Sequence, residues 1–162
     1  MTDTPKTFKK RLRSARNSMM DYLARRDHSE LELRTKLAQF YPPDEIEKAL
    51  NYAKDRGWLN DPDRLSAQMA DYLHRKQKGL QYINHFLKKK GLPPVSKDRD
   101  LEIEKARECV AKKIKNSQNL QISDKSKLVR FLASRGFDPE VIMKALSHLR
   151  FSRTPLSDDG TD

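Results

Sequence analysis

Three leucines, Leu37, Leu87 and Leu132, stand 50 and then 45 residues apart, each at the same place in a short helical pattern. In every copy an apolar anchor lies four residues earlier, and a residue able to cap a helix start lies four before that. The three sets are Ser29/Leu33/Leu37, Gly79/Ile83/Leu87 and Asp124/Leu128/Leu132. A Pro- or Gly-marked break follows each, and in the first and third copies a second apolar stripe comes after it. A helical unit of this length cannot bury its apolar face alone. A tandem of three therefore constrains the chain to a stacked, elongated all-α array and argues for a binding surface before a catalytic pocket.

Composition agrees with that constraint. Of 162 residues only 36% are hydrophobic while 35% are charged, and five glycines leave little for Gly-rich phosphate loops or many-turned β architectures. The net charge of +11 makes a polyanion, or a partner coated with one, the leading class of target. A lone cysteine, Cys109, excludes an internal disulfide framework and multi-cysteine metal sites. No run of about 18 to 20 apolar residues occurs to cross a bilayer, and the basic start has no apolar h-region of a secretory signal. These features predict a cytoplasmic protein that needs no membrane and no cofactor.

The pattern divides the chain into a basic N-terminal arm at 1–16, helical repeats at 17–60, 61–99 and 100–151, and an acidic tail at 152–162 expected to be disordered. In the first repeat Met19, Tyr22 and Leu23 share a helix face. Ser29 and Glu32 then form the Ser-x-x-Glu capping box, in which each side chain satisfies the other residue's backbone N–H. Pro43 suits the first position of a helix, whose core face is Ile46, Ala49, Leu50 and Ala53, and Gly57 ends it. The second repeat starts at Asp61-Pro62 with Leu65, Met69, Tyr72 and Leu73 on one face, and continues as a helix from Gly79 to Gly91. Its next apolar frame then fails: of Lys97, Asp100, Leu101 and Glu104 only Leu101 is apolar. One long helix is therefore expected near residues 96–115, fusing the end of the second repeat with the start of the third. In the third repeat Asp124 caps, Gly136 closes, and Asp138-Pro139 opens a helix with Ile142, Ala145, Leu146 and Leu149.

At these residues the chain resembles the RecX family of RecA modulators. Arg26-Asp27-His28-Ser29-Glu30-Leu31-Glu32-Leu33-Arg34-Thr35-Lys36-Leu37 is similar to that family's Arg-x-His-Ser-x-x-Glu-Leu-x-x-Lys-Leu signature. Gly57-Trp58-Leu59-Asn60-Asp61 is similar to its turn between the first two repeats, and Gly79 with Ile83, Leu87, Lys90 and Gly91 to its third block. Leu65, Met69 and Leu80 depart from the family's usual residues. The resemblance implies a curved array of three three-helix repeats that binds the RecA nucleoprotein filament, acting in recombination, DNA repair and the SOS response. It also implies inhibition of filament extension, DNA-dependent ATP hydrolysis and strand exchange; the chain itself is expected to be a monomer. A free-standing basic DNA-binding protein with no recombinase partner remains the alternative.

No residues suggest catalysis. His28, His74, His85 and His148 are scattered singly with no metal-ligand spacing, and nothing reads as an enzyme. Four basic clusters are the candidate contacts to RecA or to single- or double-stranded DNA: Arg25, Arg26, Arg34 and Lys36; Arg75, Lys76 and Lys78; Lys88, Lys89 and Lys90; and Lys112 and Lys113 with Lys115. Bases near helix C-termini are also what the helix dipole favours, so each cluster has a structural reading beside the functional one. Trp58 reads as a hydrophobic plug between the first two repeats, and Tyr72 and Phe86 as core. No exposed aromatic row for stacking bases is evident.

Overall fold

The computed structural model describes residues 13–114 and 120–152, so the expectations for most of the arm, for Lys115 and for the tail beyond Ser152 lie outside the described residues. Within them the chain is all-α. The helices are α1 (Ala15–Leu23), α2 (Glu30–Leu37), α3 (Pro43–Asp55), α4 (Pro62–Arg75), α5 (Leu80–Lys89), α6 (Arg99–Ile114), α7 (Ile122–Ser134) and α8 (Pro139–Leu146). Two-residue strands β1 (Leu120–Gln121) and β2 (Phe151–Ser152) pair in parallel, Leu120 opposite Phe151 and Gln121 opposite Ser152. The chain forms two compact units, one made of the residues up to Met69 with Phe86–Pro94, the other of Ala70–His85 with the residues from Val95 on.

In the first unit the local signals act as written. Ser14 caps α1, so Ala15 and Arg16, assigned to the arm from sequence, are its first residues. Ser29 caps α2, and the reciprocal bonds of the capping box, Glu32 N to Ser29 Oγ and Ser29 N to Glu32 Oε2, are both 3.1 Å. α1, α2 and α3 close on one core of Met19, Leu33, Leu37, Ile46, Ala49, Leu50 and Ala53, with Tyr22, Leu23 and Phe40 at its edge. Tyr41 is the polar anchor: its hydroxyl donates to Arg13 O at 3.0 Å and accepts from Ser18 Oγ at 2.7 Å. Each fully buried leucine in this set contributes about 1.5 to 3 kcal/mol.

In the second unit α6, α7 and α8 pack together around Ile103, Ala106, Val110, Leu128, Leu132, Phe137, Ile142, Ala145 and Leu146. The long helix expected near residues 96–115 forms as α6, Arg99–Ile114, after a non-helical segment at residues 92–98, while its register and its neighbours depart from the sequence reading. The non-helical segment is held by side chains instead. Asn84 clamps Val95 through both its amide groups, donating to Val95 O at 3.0 Å and accepting from Val95 N at 2.9 Å. The apolar face of α6 is Ile103, Ala106, Cys109 and Val110, two residues out of the expected register, and Leu101 is 58% exposed. Asp124 is not the cap of α7 but sits three residues beyond it, accepting Gln121 N at 3.0 Å. Tyr72 is 54% exposed, because the buried face of α4 runs through Leu65, Ser66, Ala70 and Leu73. The small residues Ser66 and Ala70 hide this face from a search for large apolar side chains.

Four helices end alike. The sixth residue of the closing turn bonds back to the first, Trp58 N to Ala53 O, Lys78 N to Leu73 O, Leu92 N to Leu87 O and Phe137 N to Leu132 O. This geometry requires a left-handed residue just before. Gly57, Gly91 and Gly136 supply it at φ of 65°, 67° and 83°, but after α4 it falls on Gln77 at φ 56°. A non-glycine residue held there costs about 1 to 3 kcal/mol and marks a position fixed by its surroundings.

Candidate functional site

The strained turn after α4 carries basic side chains of the second unit, Lys76 and Lys78 among them. The last carbonyls of α4 are taken by the turn's own backbone, Lys78 N bonding Leu73 O and Gln77 N bonding His74 O, and the carbonyls of the turn itself are taken by cations from other helices. Arg135, at the end of α7, donates from Nη1 to Lys76 O at 3.3 Å and Gln77 O at 3.4 Å. Lys105, from α6, donates to Lys78 O at 2.6 Å. The backbone is locked as well: Gly79 N donates to Arg135 O at 2.8 Å and Gln81 N to Gly136 O at 3.0 Å. The two chains cross so closely that a Cβ on Gly79 would lie 2.2 Å from the carbonyl of Gly136.

Beneath the turn is a buried polar network. Lys105 Nζ lies 2.7 Å from Glu102 Oε2, the two side chains being 8% and 5% exposed, and 2.8 Å from His74 Nδ1. The contact to Oε2 is an ion pair. The other oxygen, Glu102 Oε1, accepts Leu80 N at 2.7 Å and so satisfies the start of α5. Burial lowers the Lys105 pKa, against the pull of Glu102. Burial, then the positive Lys105 and Lys97, hold His74 neutral with a pKa of about 4. Burial likewise raises the Cys109 thiol, leaving it protonated in the core.

Above the turn the side chains form a basic and aromatic surface. Lys76 lies over the ring of Tyr72 at 5.7 Å and Lys78 over Tyr82 at 4.4 Å. Arg135 and Lys113 flank Phe131 at 4.9 and 5.4 Å. Tyr72 and Tyr82 are exposed. Lys112, with Arg135, is close enough to act on the Cys109 thiol. None of Arg75, Lys76, Lys78, Lys112, Lys113 and Arg135 makes an ion pair among the described residues. Arg135 links two clusters that are separate in the sequence, bonding the Lys76 and Gln77 carbonyls while sharing the Phe131 ring with Lys113. Arg135, which joins them, was missed. Its signal was a base immediately before the helix-closing Gly136.

The clusters of the first unit are largely spent on structure. Arg26 Nη2 bonds Glu32 Oε1 at 3.0 Å, and Lys90 pairs with the same buried carboxylate. Burial alone would raise the Glu32 pKa, but Arg26, Lys90 and the Ser29 N–H together hold it at about 2. Arg34 pairs with Glu30 and Glu47. Lys36 donates to His28 Nε2 at 2.9 Å while His28 Nδ1 donates to Arg26 O at 2.9 Å, so that the buried imidazole is neutral, its pKa lowered first by burial. Arg25, Lys88 and Lys89 are exposed and make no ion pair among the described residues. Trp58 is 37% exposed rather than a plug, standing edge-on to Tyr52 at 5.4 Å. Leu59, the next residue, takes the place against the core.

Among the described residues no group of acidic, histidine or cysteine side chains could hold a metal, and no helix is long and apolar enough to cross a membrane. Family models describe this arrangement. The model of the first three-helix domain of RecX matches residues 15–52, the bundle of α1 to α3, and that of the third three-helix domain matches residues 100–146, spanning α6 to α8. The regulatory protein RecX of Vibrio cholerae is 34% identical over 142 residues, covering 83% of this chain and 93% of the relative. That of Neisseria meningitidis is 31% identical over 144 residues, covering 84% and 91%. The crystal structure of RecX from Lactobacillus salivarius shares the fold, with a TM-score of 0.67 at 22% identity over 82% of this chain and 92% of that one. Two domain models in their proper order, and relatives above 30% identity matched over nearly their whole length, place the chain in the RecX family of regulatory proteins.

Proposed function

We propose that this chain is a non-enzymatic regulator of homologous recombination and DNA repair, a cytoplasmic monomer that binds the RecA nucleoprotein filament. By holding neighbouring RecA subunits it limits filament extension, the DNA-dependent ATPase and strand exchange. The observation that carries the reading, beside family membership, is the surface at the α4–α5 turn. Six cations there lack carboxylate partners among the described residues, on a turn immobilised from below by Lys105 and from the side by Arg135. Unpaired bases on a rigid support suit phosphates, because little ordering entropy is lost on contact and condensed counterions are released. Arg25, Lys88 and Lys89 of the first unit supply further contacts, whereas Arg26, Arg34 and Lys90 serve the fold. The test is RecA's single-strand-stimulated ATPase, titrated with this chain. Dose-dependent loss at substoichiometric ratios supports the reading; no effect on RecA from the same organism, at low salt and high excess, refutes it.

A further inference from the structure

A second aromatic and basic group lies in the first unit, between α1 and the end of α3, and its arginines lie over aromatic rings. Tyr52 and Trp58 meet edge to face at 5.4 Å with planes 79° apart, forming a corner of two rings. Arg16 lies over the Tyr52 ring at 4.8 Å, and Arg56 lies over both rings, 4.7 Å from Tyr52 and 5.8 Å from Trp58. Neither arginine makes an ion pair among the described residues, in contrast to Arg26 and Arg34 of the same unit. Beside the rings is an open hollow of about 430 Å³ lined by Ala15, Arg16, Glu45, Lys48, Ala49 and Tyr52. That volume is of the size that takes a small organic ligand. Its lining joins apolar methyl groups and an aromatic wall to two cations against one carboxylate. A large exposed indole left beside unpaired guanidinium groups is what a flat, anionic partner requires.

We infer that Arg16, Tyr52, Arg56 and Trp58 form a docking site for single-stranded nucleic acid, in which an unpaired base stacks at the Tyr52–Trp58 corner and the arginines take the flanking phosphates. Every base has a π face, so such a site tolerates any sequence. It also favours single strands, since a duplex keeps its bases stacked on one another. The inference rests on the proposed function only in taking nucleic acid as a partner, and it requires no recombinase.

Trp58 is the chain's one tryptophan, so its fluorescence reports this site alone. The experiment titrates the full chain with a fluorescein-labelled oligothymidylate, reading label anisotropy and, with unlabelled strand, indole emission. The expected result is quenching of Trp58 with the same midpoint as the anisotropy change. Trp58→Ala is expected to weaken binding by roughly 5- to 150-fold, the loss of one stacked base, while Trp58→Phe retains most of the affinity. Arg16→Ala with Arg56→Ala is expected to reduce the slope of log affinity against log salt by about 0.7 per lost phosphate. Saturated anisotropy without an indole change overturns the inference. So does a folded Trp58→Ala variant with wild-type affinity, or an equal dependence on Trp58 for a blunt duplex. A failed ATPase titration with these results intact refutes the filament reading alone.

Discussion

Replacing Lys105 with Met tests the support beneath the α4–α5 turn. The substitution keeps the stem and removes the ammonium, leaving Glu102 charged and only 5% exposed, with Lys78 O and His74 Nδ1 deprived of their donor. Breaking a buried ion pair from one side costs about 3 to 5 kcal/mol, because the remaining charge is uncompensated. Each stranded acceptor adds about 1 to 3 kcal/mol where water cannot reach it. Against this, methionine is freed of the burial cost that already lowers the Lys105 pKa, so the net loss expected is about 3 to 5 kcal/mol. At a urea slope of about 2 kcal/mol per molar, the midpoint for the second unit falls by about 2 M. The assay is urea unfolding by circular dichroism, with hydrogen exchange assigning the loss to α6, α7 and α8. Lys105→Met with Glu102→Gln recovers about 2 kcal/mol, since the neutral amide still accepts Leu80 N but no longer strands a charge. A single variant within about 1 kcal/mol of wild type, or a double variant no better than the single, refutes the network as the turn's support.

Other expectations follow from the same geometry. Gln77→Gly relieves a left-handed residue at φ 56° and is expected to raise the unfolding midpoint by about 1 kcal/mol in equivalent stability; a lower midpoint contradicts the strain. Gly79→Ala places a Cβ 2.2 Å from the Gly136 backbone and is expected to cost about 3 kcal/mol or more, whereas Gly57→Ala, which meets no atom within 4 Å, loses only the left-handed preference. Because the His74 pKa is depressed from 6.5 to about 4, the unfolded chain binds the extra proton between those values. Its stability contribution is complete above pH 6.5 and lost as pH falls towards 4, and His74→Asn is expected to flatten that part of the profile. Glu32, held at about 2 against 4.5, loses its contribution only below pH 4.5.

What could be seen in the sequence is what short-range geometry controls. The Ser29–Glu32 box, the closing glycines and the Ile46/Ala49/Leu50/Ala53 stripe depend on residues within two turns of each other, and they appear in the structure as expected. The failures are tertiary. Nothing in the spacing tells that Lys105 and Glu102 would be buried, since a charged pair three apart on a helix usually faces water. The register of α6 was lost for that reason: its inward face alternates Ile103 and Ala106 with these two charges. The basic clusters show the same effect. Glu32 is distant in sequence from Lys90, and their pairing gives that lysine a structural role that composition alone does not reveal. Arg135 was overlooked because its role comes from where the C-terminus of α7 meets the turn after α4.

Under the proposed function, the location of the basic residues rather than the net charge decides activity. The most direct measurement compares two charge-matched variants in the RecA single-strand-stimulated ATPase. One carries Lys76→Glu and Lys113→Glu, at the surface joined by Arg135. The other carries Lys127→Glu and Lys144→Glu, both already beside a carboxylate of their own helix. With folding verified for both, the account predicts that the first requires at least about tenfold more protein for half-inhibition and shows a shallower salt dependence, while the second stays close to wild type. Equal losses in the two, or full activity of the first, would contradict it.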